Sequence, residues 1–274
     1  MNGLDVNSAP AIRLGLFLTV FVLLAVLEYL APRRRLLYSK SRRWTCNFGI
    51  SFLNAVVVSV FLPLVGIGAA VLAGERGWGL FNLLGISSWL SIPIYLLVFD
   101  LTIYWQHRLF HAIKPLWRLH RMHHTDVDYD VSTGNRFHPL SIVISSLIKL
   151  ALILALGPVA IAVLISEILL NVTSMFNHSN LKLPDSLDKR LRLLVVTPDM
   201  HRVHHSTNST EHNRNFGFNF PWWDRLFGTY QPQPALGHEA MHIGIWGYQD
   251  HHSIEILPLL VQPFTNDEEK MGSD

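Results

Sequence analysis

Long apolar runs alternate with short polar stretches along this chain. Ala11 to Ala31 is almost wholly apolar and reaches the roughly 20 residues that a membrane-spanning helix needs. A second run goes from Cys46 to Ala73, interrupted by Asn47 and Asn54 and kinked at Pro63. A third goes from Trp89 to Trp105, with Asp100 in its later part. The fourth block, Leu140 to Phe176, is too long for one helix. Gly157-Pro158 divides it into two halves at the short limit for a span, which reads as a helical hairpin. The fold class predicted is an all-α integral membrane protein with about three spanning helices, a membrane hairpin and a helical cap outside the bilayer.

The charges between the runs give the predicted sidedness. Arg33, Arg34, Arg35, Lys40, Arg42 and Arg43 lie between the first two runs, whereas Gly74 to Ser88 carries only Glu75 and Arg76. The positive-inside rule puts the first of these loops in the cytoplasm. Everything after the third run then emerges there too, and a hairpin that goes out and comes back returns the chain to the same side. Three regions follow: 1–105 as N-terminal membrane helices, 106–230 as the histidine-bearing catalytic region that includes the membrane hairpin 140–176, and 231–274 as a cytoplasmic or interfacial tail. A bacterial inner membrane is the expected home, with the endoplasmic reticulum as the other option. Ser253 to Phe264 is apolar but too short to span, and Thr265 to Asp274 is polar and expected to be disordered. Lys149 and Glu167 sit on the two halves at similar distances from Gly157-Pro158, so they either pair across the hairpin or separate, with Lys149 snorkelling and Glu167 facing a polar cavity. Gly66-Ile67-Gly68 falls inside the second run and fits close helix packing better than a nucleotide loop.

Composition narrows the function. Half of the 274 residues are hydrophobic and 15% are charged, and the net charge of +2 is too small to argue for nucleic acid. The single cysteine, Cys46, excludes an internal disulfide or a thiolate cluster and reads as an inert buried thiol.

The polar stretches hold the chemistry. His107 and His111 are four apart, on one helix face. His120, His123 and His124 form an i, i+3, i+4 set, and His201, His204 and His205 repeat it. These eight exceed what one tetrahedral metal accepts; shared between two metals they give about four each, with room for oxygen. His178, after the hairpin, and His138, at its entrance, are further candidate ligands, His138 with the rival role of a helix cap. His212, His238, His242, His251 and His252 lack the pattern and read as surface or structural. Imidazole suits iron, zinc, copper or nickel, so the donor set leaves the metal open. Asp100, Asn135, Asn177, Asn215 and Asp224 are candidates to accept ring N–H bonds, with ordinary capping as the alternative; Asp224 could instead pair with Arg225 or Arg202.

Two other classes are weighed. His238-Glu239-Ala240-Met241-His242 matches the zinc-protease pattern. Pro232, Pro234, Gly237 and Gly244 leave it little helix on which to align two ligands. A membrane metal transporter would place its ligands inside the spans, along a path. These histidines cluster outside them.

His107-Arg-Leu-Phe-His111, His120-Arg-Met-His123-His124 and His201-Arg-Val-His204-His205 resemble the three histidine boxes of the fatty acid hydroxylase/sterol desaturase superfamily. Asn215-Phe216-Gly217 and Trp223 to Thr229 fit the same pattern, so the likeness runs from Asp100 to Tyr230. Thr197-Pro198 before the last box resembles compact bacterial members and the alkylglycerol monooxygenase-like branch. The resemblance implies two iron ions on the eight box histidines and, further, on His178 and His138. It also implies dioxygen as co-substrate and hydroxylation or desaturation of a membrane lipid. No haem-binding or dinucleotide-binding segment is visible, so a separate ferredoxin, cytochrome or reductase is implied as electron donor.

Overall fold

Each apolar run becomes helix, and among the described residues five helices are long and apolar enough to cross a membrane. The structure is a computed structural model that describes residues 8–265 with the exception of 249. The polar tail beyond Thr265 and the side chain of His251 lie outside that description. In order, the helices are α1 (Ala9–Leu30), α2 (Lys40–Phe61), α3 (Ile67–Arg76), α4 (Leu80–Leu83), α5 (Ser88–Ala112), α6 (Lys114–His124), α7 (Pro139–Leu156) and α8 (Ala160–Asn177). Six short helices follow: α9 (Asp185–Leu191), α10 (Pro198–His204), α11 (Ser209–His212), α12 (Trp222–Leu226), α13 (Gly237–Ala240) and α14 (Ile256–Val261). The spans α1, α2, α5, α7 and α8 make this a multi-pass integral membrane protein. Their outer faces are apolar and open, as in Leu14, Val22, Phe52, Val60 and Leu97, which is the arrangement a lipid surround stabilises.

The second run departs from its expectation. It is two helices rather than one kinked span. Pro63 has no N–H to donate and disfavours helix at the residue before it, so α2 stops at Phe61. Gly66, at φ 82°, then turns the chain into α3, which packs on both arms of the hairpin. Gly66 therefore makes a turn, and it also packs closely on α8, where a Cβ would stand 2.5 Å from Glu167 Oε1. Lys149 and Glu167 are electrostatic neighbours but, among the described residues, not a contact pair. Glu167 meets Arg13 of α1 at 2.9 Å, and Lys149 faces a cavity instead.

The hairpin turn is fixed where two glycines touch. A Cβ on Gly79 would stand 2.2 Å from the Gly157 nitrogen, and both residues have positive φ. A buried core of Ala69, Ala70, Tyr95, Phe99, Ile153, Ala162 and Val163 joins α3, α5, α7 and α8 at that end of the bundle.

At the other end the interhelical segments interlock. The loop between α1 and α2 reaches the segment after α8, where Arg33 N donates to Asn180 O at 2.7 Å and Lys182 N to Ala31 O at 2.8 Å. Glu28 accepts from Val131 N (2.7 Å) and Asn180 N (2.6 Å). Arg43, wholly buried, grips Asp126 with Nε at 2.9 Å and Nη2 at 2.8 Å, and Asp130 with Nη1. Burial alone would raise the Asp126 carboxyl, but Arg43 and Arg136 outweigh it and hold it at about 2. These contacts fasten the 125–138 loop, which connects the second histidine cluster to α7. All three clusters and His178 thus stand at one end of the bundle, as the out-and-back reading of the hairpin requires.

Candidate metal centre

The local sequence explains how each cluster is presented. α5 outruns its apolar stretch, so His107 and His111 ride one face of a spanning helix at its mouth. α6 starts after Ile113 with Pro115 in its first turn and carries His120, His123 and His124 at its end. α10 is capped by Thr197, whose side chain accepts from Met200 N, and Pro198 occupies its first position. Thr197-Pro198 therefore starts the short helix that carries His201 and His204, with His205 at its C-cap.

Folding gathers these rings into two neighbouring groups. His107, His111, His120, His124 and His204 form one, and His123, His178, His201 and His205 the other, with ligand atoms inside each group within 4.8 Å of one another. All except His111 are buried. The eight box histidines and His178 are thus brought together, and neither group includes a carboxylate.

The hydrogen bonds decide which nitrogen faces inward. Nδ1 of His107 meets Phe216 O at 2.9 Å, that of His123 meets Arg136 O at 3.2 Å, that of His178 meets Ser174 O at 2.7 Å, and that of His204 meets Arg214 O at 2.7 Å. A carbonyl only accepts, so each Nδ1 carries the proton and each Nε2 keeps a bare lone pair. Yet His107 Nε2 and His204 Nε2 are 2.9 Å apart, and His123 Nε2 and His178 Nε2 are 3.1 Å apart. Two lone pairs facing each other at that distance repel unless a cation lies between them. Metal–imidazole bonds of about 2.1 Å at a right angle place ligand nitrogens roughly 3 Å apart, which matches. Among the described residues, both ring nitrogens of buried His205 and Nε2 of His120 have no hydrogen-bond partner either. Burial holds His120, His123, His124, His201, His204 and His205 well below the ordinary imidazole range and His178 at about 3. Neutral imidazole is the ligating form. The residues present fit a metal pair held by nitrogen.

The acceptors of the ring protons differ from those expected. In the four rings so fixed, backbone carbonyls do this work, and Asp100, Asn177, Asn215 and Asp224 bond the backbone around them instead. Asp224 accepts from Phe216 N (2.8 Å) and Gly217 N (2.7 Å), next to the carbonyl that orients His107. Its burial pushes the carboxyl up to about 6, against hydrogen bonds from Thr229, Gly217 and Phe216. It pairs with neither Arg225 nor Arg202; Arg202 goes to Asp199 and Ser179 O, and Arg225 to Arg192 O. Asn215, in the left-handed region at φ 53°, bonds Met200 O and Gln231 O between the carbonyls that serve His204 and His107. Asp100 accepts from Asn219 N, Phe220 N and Trp223 Nε1. Asn177 donates to Phe218 O, and the Asn135 amide nitrogen has no partner. Asp224→Ala is expected to free the 216–217 backbone and weaken metal retention about 10–100-fold, read as metal per chain after dialysis against a chelator.

His138 joins neither group. Its Nδ1 accepts from Leu140 N at the start of α7, and Nε2 lies 3.2 Å from Leu260 O, so both nitrogens are used and it is the helix cap. The protease pattern likewise does not assemble. α13 is four residues long, His242 is exposed, His238 points to Asp199, and Glu239 pairs with Arg33. His212, read as surface or structural, stacks on Trp117, which lies 4.8 Å from the His111 ring. Trp117, Phe137 (stacked on His123 at 4.4 Å) and Tyr129 (5.1 Å from His205) wall the centre, and no spacing pattern marked them.

Comparison with known proteins agrees with this construction. The chain is 33% identical to human alkylglycerol monooxygenase over 158 residues, 58% of this chain and 34% of that protein. It is 32% identical to ornithine lipid hydroxylase OlsE of Rhizobium tropici over 180 residues, 64% of this chain and 50% of that one. It is 29% identical to a Delta(7)-sterol-C5(6)-desaturase of Nicotiana tabacum over 164 residues, 57% and 56% respectively. The chain spans about a third to a half of the first two of these relatives. No solved structure matches. The fatty acid hydroxylase model matches residues 92–229, half of the chain and all three histidine clusters, and the chain belongs to that family.

Proposed function

We propose that this protein is a lipid oxygenase that holds two iron ions and uses dioxygen to hydroxylate or desaturate a C–H bond of a membrane lipid. The observation that carries this reading is the facing of lone-pair nitrogens, His107 to His204 and His123 to His178, in two adjoining buried groups. One iron is assigned to His107, His111, His120, His124 and His204, the other to His123, His178, His201 and His205. Bound there, an iron pair with open positions supplies the oxidising power that an unactivated C–H bond requires.

The chain's own residues do the rest. The carbonyls of Arg136, Ser174, Arg214 and Phe216 orient four rings and raise their basicity. Phe137, Trp117 and Phe216 keep bulk water from the centre. A cavity of about 220 Å³ opens from His107, His120, His123 and His201 between α2, α5, α7 and α8, so a lipid dissolved in the bilayer can approach the metals sideways. Electrons come from a separate ferredoxin, cytochrome or reductase, and the arginine-rich loop supports a cytoplasmic side for the centre.

The test is lipid profiling under ¹⁸O-labelled dioxygen, or of new double bonds, in cells expressing the wild type beside His123→Ala. The expected result is a labelled or desaturated lipid in the wild type alone. Identical lipid profiles in the two strains contradict the proposal.

A further inference from the structure

The cavity beneath the histidines is mostly apolar, as a hydrocarbon chain calls for, but one strip of its wall is polar. On α7, Ser141, Ser145 and Lys149 recur at four-residue spacing and all line it, in a helix whose other positions are largely apolar. Facing them are Asn54 of α2 and Gln106 of α5. Gln106 donates to Ser145 at 3.2 Å, and Asn54 donates to Phe137 O at 2.8 Å. Their amide oxygens, and the amide nitrogen of Asn135 on the same wall, are buried without partners. Unpaired polar atoms inside a membrane bundle are costly, and they persist where a ligand completes them.

Lys149 makes the chemistry specific. Among the described residues, no hydrogen-bond or ion-pair partner reaches its ammonium. The carboxylate nearest in character, Glu167, is already held by Arg13 at 2.9 Å. One ammonium therefore stands without a contacting counter-ion on the wall of the cavity whose roof is the metal-binding histidines, because its electrostatic neighbour Glu167 is in contact with Arg13. Lys149 lies one helical turn past Ser145, which is bonded to the residue beside His107.

Resting on the oxygenase reading above, we propose that this cavity binds the anionic end of a lipid, a carboxylate or a phosphate, with Lys149 as its counter-ion. The amide groups of Asn54, Gln106 and Asn135 take the neighbouring polar atoms. The reach from Lys149 to the histidines then sets which C–H bond, counted from the anionic group, is presented to the metals.

The test is binding of radiolabelled palmitate to the purified wild type in phosphatidylcholine nanodiscs, competed by hexadecyl phosphate and by hexadecanol, with empty nanodiscs subtracted. An anion should compete about thirtyfold better than the alcohol of equal chain length. Whichever of palmitate and hexadecyl phosphate binds tighter identifies carboxylate or phosphate as the preferred group. Lys149→Met should remove the preference, and Lys149→Arg should keep it. Equal competition by hexadecanol in the wild type, absence of saturable palmitate binding, or a preference that survives in Lys149→Met overturns the proposal. Iron per chain is measured on the same samples. Anion preference without iron would refute the oxygenase reading while leaving this one standing.

Discussion

His204→Ala is expected to lose the iron of the five-histidine group and with it at least about 100-fold of lipid oxidation, beyond the 10–100-fold typical of groups that only support a ligand. The ring is fully buried, with its Nδ1–H on Arg214 O and its Nε2 facing His107 Nε2 at 2.9 Å. Alanine removes one donor and leaves His107 oriented toward an empty position. It also opens a void beside Phe216, whose ring centre lies 5.4 Å from that of His204. In the other group His123 and His178 keep their carbonyl bonds, and only the ring contacts of His201 and His205 with His204 are lost, so partial iron retention is expected rather than unfolding. His242→Ala, at an exposed histidine outside both groups, should leave iron and activity at wild-type levels. Elemental analysis and product formation on the same preparations check both variants.

Arg43→Met is expected to destabilise the protein by about 3–5 kcal/mol, because it strands two carboxylates at zero exposure. Asp126 and Asp130 both lean on this guanidinium, with Thr133 Oγ1 3.2 Å from Nη2. A loss of that size is a large fraction of the about 5–15 kcal/mol by which a folded chain is stable. The damage also reaches the metal centre, since the same loop supplies the Arg136 carbonyl to His123. Thermal unfolding in detergent should show the loss, and adding Asp126→Asn should recover part of it by removing one stranded charge. The pH dependence has a definite sign. The Asp126 carboxyl is depressed to about 2, so its contribution is full above the ordinary value near 4 and is lost only as pH falls toward 2. Unaltered unfolding of Arg43→Met at neutral pH would contradict this assignment.

The helices and histidines were legible because each has a local signature. Apolar runs as long as a bilayer is thick mark spans, and i, i+3, i+4 spacing marks a shared face. His178 was within reach because it ends the hairpin. His138 was not separable from a ligand on spacing alone. Its cap role depends on Leu140 N and Leu260 O, and the second lies on a helix far along the chain. The ring acceptors were misread for a related reason. Backbone carbonyls are present at every residue, so a sequence cannot tell which of them a histidine meets, and the eye falls on Asp and Asn. Those side chains matter, but at one remove, as Asp224 shows by holding the backbone of Phe216 and Gly217. The Lys149–Glu167 symmetry suggested a pair. What it could not contain was Arg13, on a different helix, which takes Glu167 and leaves Lys149 to the cavity.

The most direct measurement is iron per chain in protein purified anaerobically, for the wild type, His204→Ala and His205→Ala. Two equivalents in the wild type, with each variant losing one from its own group, is the predicted result. A single equivalent, or a wild-type protein that oxidises lipid while retaining no iron, would contradict the assignment of two histidine groups to one iron pair.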